Sequence, residues 1–303
     1  MKKLSFFLPF IALVAVLFFP SCQKDKTTEV VEQSDLNPQE AAAAYKQLAD
    51  SFQIGSVEFL PKTEYEKIPL MDVADAAPIS QADVQLRAAS RFLATPPVAN
   101  QGGEGSCTAF AAGYGGVSYI LNTVNRLPYT TNGAMRSPEF LYNTTKIAGS
   151  CNAGAYISTV LSGLINRGIC SWAEMPYTDG ACSLQPSAAQ KQLALKGKIK
   201  SYSRAASSQV KNWIDWGFPV VMGFSVDDNF ISQAMRSPFI WRTRGGVNRG
   251  GHAVLIMGYN DNNRTYKVQN SWGLGQHERG FFYVSYDLLP SIASELYVME
   301  PVR

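Results

Sequence analysis

Asn100-Gln101-Gly102-Gly103-Glu104-Gly105-Ser106-Cys107-Thr108-Ala109-Phe110 is the stretch on which the reading of the whole chain turns. Gly102, Gly103, Gly105 and Ser106 crowd together in a way that continues neither a strand nor a helix, so they make a tight loop. The loop runs into a helix predicted from Cys107 to about Asn122. A thiol at a helix N-terminus feels the positive end of the helix dipole and the unpaired backbone N–H groups there, and both favour the nucleophilic thiolate. Gln101, upstream in the same loop, carries a side-chain amide able to aim an N–H at the same point. A nucleophile, a helix end and an amide donor together suit acyl transfer.

Lys2-Lys3 precedes an apolar run from Leu4 to Pro20, which ends at Ser21-Cys22. A basic start, an apolar stretch of this length and a small residue at its end predict an export signal over residues 1–21. The run is too short to favour a spanning anchor. Plain cleavage after Ser21 would want a small residue at position 19, where Phe19 stands. The stretch instead resembles a bacterial lipoprotein signal, with Cys22 lipidated as the new N-terminus, although Phe19-Pro20 depart from that motif. The protein is therefore expected outside the cytosol, on the outer membrane or in the periplasm or medium.

Residues 22–82 read as a tether or pro-segment: polar to Glu40, helical over about 38–52, then irregular. A core domain is expected over 83–303, a length ample for a large core. The formal charge is +3, with 17% of residues charged. That small, unclustered excess nearly vanishes when Lys2 and Lys3 leave with the signal, which points away from nucleic acid. Outside the signal no apolar run is long enough to cross a bilayer, so any membrane attachment goes through the lipid alone.

Within the core the pattern changes part-way. Residues 107 to about 200 carry helical signals: the Cys107 helix, 137–148 and 154–167. Ser137-Pro138-Glu139 has the capping serine and first-turn proline of a helix start. Gly113, Gly115 and Gly116 each cost the first helix roughly 1 kcal/mol relative to Ala. Such residues suit a helix packed closely on both sides. A helix over 210–216 precedes short β-type runs at 219–226, 251–259, 266–269, 280–286 and 295–299. The fold class is α+β with a cleft between the halves.

The chain has only 2 histidines. His277 lies in a polar loop and reads as a solvated side chain. His252 opens an apolar run, Gly251-His252-Ala253-Val254-Leu255-Ile256. Further on comes Val268-Gln269-Asn270-Ser271-Trp272-Gly273, a polar residue at a strand end before a Trp. Taken singly, each of these is an ordinary structural feature.

Taken in order, they are not. Gln101 and Cys107 with Phe110, then His252-Ala253-Val254, then Asn270-Ser271-Trp272-Gly273 resemble the papain-like cysteine peptidases. In that family the histidine follows the cysteine by roughly 130–150 residues. His252 falls in that window and Asn270 just beyond it. Ser137-Pro138-Glu139-Phe140-Leu141, Ser150-Cys151-Asn152-Ala153-Gly154, Met175-Pro176-Tyr177 and Gly217-Phe218-Pro219-Val220 are similar to further family motifs. The resemblance covers about 83–303.

It implies a two-lobed fold, with a helical lobe built on the Cys107 helix and a β-barrel-like lobe. It implies that Cys107 and His252 form a thiolate–imidazolium pair, that Asn270 orients the imidazole and that Trp272 shields that bond. The Cys107 backbone N–H and Gln101 would make the oxyanion hole. The substrate would be a peptide or protein, the enzyme a monomer, probed first as an endopeptidase, with no cofactor and no metal. Three positions depart from the pattern. Thr108 replaces an aromatic residue, and Gly251 stands where Asp or Asn often precedes the histidine. Glu104 replaces the cysteine that usually pairs with the one at Cys151. Cys170–Cys182 is then the expected disulfide, with Cys151–Cys182 its rival. A ligand-binding module without turnover, and thiol-dependent transamidation or isopeptide cleavage, are the alternative functions.

Overall fold

Three glycines decide how the helical half meets the strand half. A computed structural model describes residues 57–79, 88–233 and 239–303. The export signal, Cys22 and the helix expected over 38–52 lie outside the described residues. Residues 107–125 form one helical run. It is wound as a π-helix over Ala109–Val117, with every residue buried, and as an α-helix over Ser118–Asn125. A Cβ on Gly113 would stand 2.5 Å from Leu141 Cδ2 and 2.8 Å from Ile169 Cδ1, both in the helical half. On Gly115 it would stand 2.9 Å from Leu255 Cδ2, and on Gly116 it would overlap Met299, both in the sheet. The glycine cost is thus offset by contact on two sides at once.

The helical half starts as its sequence directs. Phe140 N–H donates to Ser137 Oγ at 3.0 Å, capping the helix Pro138–Thr145. The helix Ile157–Asn166 buries Ile157, Val160, Leu161 and Leu164, a one-sided stripe at helical spacing.

Among the described residues the strands are, in chain order, β1 (Val57–Glu58), β2 (Ser90–Phe92), β3 (Ala155–Tyr156), β4 (Ile199–Arg204), β5 (Val220–Asp227), β6 (Ile240–Trp241), β7 (Asn248–Asn260), β8 (Thr265–Gln269), β9 (Phe281–Ser285) and β10 (Ala293–Pro301). The lobe expected as barrel-like is an eight-stranded sheet in the order β4-β10-β5-β7-β8-β9-β6, with β2 added on β7. β5 and β7 are buried along most of their length and pair antiparallel, setting Phe224 opposite His252. They read as continuous apolar runs because both faces are covered. The central helix packs on β7, and the rings of Phe230, Trp241 and Phe282 pack around Phe224.

The N-terminal described stretch, 57–79, is applied to this body. β1 pairs parallel with β3 in the helical half. Leu60 N–H then donates to Glu295 Oε1 at 2.7 Å, and Trp216 Nε1–H to the Ala76 carbonyl at 2.9 Å, both in the strand half. Among the described residues, no helix is long and apolar enough to cross a membrane.

The disulfide differs from the expected one. Cys151 pairs with Cys182, their Cα atoms 5.4 Å apart, and Cys170 remains a buried thiol. The backbone dictates this. The Cys170 carbonyl accepts from Ser137 N–H, which fixes that residue behind the Pro138 helix and inside the core. The Cys151 carbonyl instead accepts from Gly105 N–H, which brings its turn up beside the loop before Cys107. Burial pushes the Cys170 thiol up to about 12.

Candidate active site

The loop before Cys107 is held from three directions. Gln101 N–H donates to the Ser271 carbonyl at 2.8 Å, fastening the loop to the end of β8. Gly103 N–H donates to both Asp179 carboxylate oxygens, at 2.9 and 3.0 Å. Gly102 has φ +59, and a side chain there would run into Asp179, so both its conformation and its space require glycine. Tyr177 Oη–H donates to the Gln101 carbonyl at 2.6 Å.

The Gln101 side chain is fully buried and its orientation is fixed. Its Oε1 accepts from Ser271 Oγ at 2.6 Å, and its Nε2 donates to the Glu104 carbonyl at 2.9 Å. An amide nitrogen carries two hydrogens, so a second Nε2–H is left for a ligand. Cys107 opens the helical run: the Ser106 carbonyl accepts from Ala109 and Phe110 N–H. Its side chain is buried at the positive end of that helix.

His252 lies in β7, completely buried. Its Nε2 is 2.8 Å from Asn270 Oδ1, and the same Oδ1 accepts from Ser271 N–H at 2.8 Å. A backbone N–H can only donate, so that Asn270 atom is oxygen, and His252 Nε2 must carry the proton it donates. The lone pair of neutral His252 is thereby placed on Nδ1, which is buried and makes no hydrogen bond. The Trp272 ring lies on the imidazole, centroids 4.8 Å apart and planes within 28°. Burial pulls the His252 pKa down to about 4, against a smaller upward pull from Asn270. Phe110 and Tyr114 of the Cys107 helix line one small cavity with Ala253, Leu255, Asn270 and Ser271. The helix that begins at Cys107, the strand that carries His252 and the end of β8 at Asn270 therefore converge.

A family model for papain family cysteine proteases matches residues 82–298. The chain belongs to the papain family of cysteine proteases. Among known proteins, it is 27% identical over 220 residues to an uncharacterised peptidase C1-like protein of Acanthamoeba polyphaga mimivirus, covering 67% of this chain and 69% of that one. It is 26% identical over 200 residues to a cathepsin B-like protein of Giardia intestinalis, of which the match spans 63%. Among solved structures it is similar to xylellain, a cysteine protease from Xylella fastidiosa, with a TM-score of 0.67, 26% identity and coverage of 84% of this chain and 98% of that one. Pineapple bromelain (Ananas comosus), solved with the E64 inhibitor, shares the fold at 21% identity and a TM-score of 0.56.

Three further features mark the surroundings of this site. Glu104, in place of a cysteine, is a buried carboxyl beside the Cys151–Cys182 disulfide. Burial and then the Glu139 charge push its pKa up to about 7, opposed by the Tyr177 hydroxyl 3.2 Å from its carboxyl. Glu104, Cys151 and Cys182 present donor atoms within 4.8 Å of one another. The two sulfurs are spent on each other, so the trio is no metal centre in this state.

Gly251 is the second feature. A Cβ on it would overlap the Val57 carbonyl oxygen and stand 3.1 Å from Phe59 Cζ. The absent side chain next to His252 is what lets the β1 segment lie there.

The third is His277, which sequence reasoning placed in solvent. Its Nε2 is 2.8 Å from Asn270 Nδ2, and its ring stacks on Phe239 at 4.9 Å with planes within 13°. The reading failed because the flanking Gly275-Gln276 and Glu278-Arg279 are polar, while the inward turn comes from a left-handed backbone at His277, φ 53. No local pattern announces that. The one available signal was its position shortly after Asn270.

Proposed function

We propose that this papain-like cysteine peptidase is an exported, lipid-anchored endopeptidase whose working groups are Cys107, His252, Asn270 and Gln101. Cys107 Sγ, as thiolate, attacks the carbonyl carbon of a peptide bond held extended across the cleft. The electron pair displaced onto the carbonyl oxygen is met by the Cys107 backbone N–H and the second Nε2–H of Gln101. Collapse of that intermediate expels the amine, which takes its proton from His252 Nδ1, and leaves an acyl thioester. His252 Nδ1 then accepts a proton from water as it attacks the thioester, and the acid departs with the thiol regenerated. Asn270 Oδ1 accepts from Nε2 throughout and favours the imidazolium; Trp272 covers that bond.

The observation that carries the reading is the pair of donors on Asn270 Oδ1, His252 Nε2 and Ser271 N–H, because it leaves the histidine base at Nδ1. A module built only to bind peptides has no use for a histidine tautomer fixed in this way. Export and lipidation rest on the leader 1–21 with Cys22, and the Cys151–Cys182 disulfide suits an oxidising compartment. Hydrolysis of a mixed peptide library under mild reduction, beside Cys107→Ala, tests the chemistry. Cleavage that survives the substitution overturns it. Incorporation of labelled fatty acid that is lost in Cys22→Ala tests the anchor.

A further inference from the structure

We propose that His277 is a positioning residue for the reaction, a second histidine that accepts a hydrogen bond from Asn270 Nδ2 and so keeps Asn270 Oδ1 turned toward His252. The inference rests on the assignment of Cys107, His252 and Asn270 given above. A carboxamide is nearly symmetric in shape, and rotation by half a turn exchanges its oxygen and nitrogen. In the exchanged orientation the Asn270 amide would present N–H to His252 Nε2. That atom would have to become the acceptor, and the proton would move to Nδ1, where the base is needed. The wrong rotamer therefore removes the base without moving any ring.

Two bonds oppose that rotation. Ser271 N–H holds Oδ1, and His277 Nε2 holds Nδ2, each at 2.8 Å. His277 is suited to accept. Because Asn270 Nδ2 can only donate, His277 Nε2 is bare and its proton sits on Nδ1. His277 is half-buried, with the rings of Phe230, Phe239, Trp272 and Phe282 packed against its imidazole, and the charged group that acts on it is His252. Burial and that like charge pull its pKa down to about 3, so it stays a neutral acceptor while His252 cycles through its cation.

The arrangement costs stability. His277 has φ 53, and its Nδ1 is buried without a hydrogen-bond partner. A left-handed non-glycine residue and an orphaned buried donor are each unfavourable. Glycine at this turn would relieve the first and a phenylalanine the second. A residue that incurs both is accounted for by the one bond only it makes, to Asn270.

The test compares His277→Phe, which retains a stacked ring and removes the acceptor, with His277→Gln, which returns an acceptor. Active sites are counted with an irreversible thiol reagent. In His277→Phe, kcat is expected to fall about 10-fold per active site, the scale of one supporting hydrogen bond, with KM within about twofold. The alkaline limb of kcat/KM is expected at lower pH, since a less well-held Asn270 favours the imidazolium less. His277→Gln is expected to restore most of both. An unchanged limb and kcat in His277→Phe, or equal impairment in both variants, overturns the proposal. Should His277→Phe fail to fold, nitrogen-15 spectra of the intact enzyme decide: His277 is expected as the neutral Nδ1–H tautomer from pH 8 to 5, and an imidazolium or Nε2–H form overturns it. Hydrolysis surviving Cys107→Ala would instead overturn the site assignment itself.

Discussion

Ser271 Oγ donates to Gln101 Oε1 at 2.6 Å across a sequence separation of 170 residues. The residue after Asn270 thus holds the amide that is proposed to face the developing oxyanion. Gln101→Ala is expected to reduce kcat by ~10²–10³, the usual cost of one oxyanion donor. Ser271→Ala leaves the donor in place and releases its carbonyl, so the expected loss is smaller, about 10-fold. Because both variants act through one amide, the double variant should be no slower than Gln101→Ala. Steady-state kinetics of the three proteins check this; losses that multiply would mean that Ser271 acts by another route.

Burial pulls His252 down to about 4 from an ordinary 6.5. In the proposed mechanism the cation therefore needs the Cys107 thiolate as its counter-charge. In Cys107→Ala that counter-charge is gone, and His252 should remain neutral down to about pH 4, as read from its ring carbon proton by NMR. The stability consequence has a definite sign. A base with a folded pKa below its unfolded value is protonated first in the unfolded chain. The His252 contribution to the stability of Cys107→Ala should thus fall as pH drops through the window from 6.5 to about 4. Glu104 contributes in the opposite sense over part of that window, so urea midpoints of Cys107→Ala are compared with those of Cys107→Ala/His252→Gln at several pH values; a difference that does not change with pH would refute the burial account.

Glu104 titrates in the opposite sense. Its carboxyl is pushed up to about 7 from 4.5, so the folded state holds its proton more tightly than the unfolded chain. Below 4.5 both states are neutral and nothing is lost. Stability then declines as pH rises from 4.5 to about 7 and levels off above it. Glu104→Gln keeps the shape without the buried charge. It should raise Tm at pH 8 by roughly 2–4 °C for each ~1 kcal/mol relieved, and should give no gain at pH 4.5. Thermal melts at the two pH values distinguish this from a general stabilisation.

What was legible in the sequence follows from what is local. Ser137-Pro138 announces a helix because a cap and a first-turn proline act within one turn, and the helix Pro138–Thr145 begins there. The crowded glycines of the Cys107 helix predict close packing, and Leu141 and Leu255 supply it from opposite sides. The disulfide was not legible. Cys151, Cys170 and Cys182 are equivalent in composition, and their sorting depends on hydrogen bonds from Ser137 and Gly105 that no spacing encodes. His277 was missed for the same reason. A left-handed backbone turns its ring inward, and its partners Phe230 and Phe239 come from a distant segment.

Gly251 and Val57 give the last prediction. The backbone of Val57 lies where a side chain on Gly251 would be, while β1 pairs with β3, so residues 57–59 run from the helical half to the residue beside His252. A peptide strung across the same junction would compete with them for the space. Phe59 packs on both Gly251 and Gly223 and is one of the apolar contacts that hold the segment on the sheet side. Exchanging a partly buried phenylalanine for serine removes about 1 kcal/mol of that hold, enough to shift the closed population about fivefold. Phe59→Ser is therefore expected to raise kcat/KM about fivefold in protein that retains residues 57–79, mainly through KM. Amide exchange at 57–60 should quicken in the same variant. Faster exchange without any gain in kcat/KM would show that the segment lies beside the cleft without obstructing it.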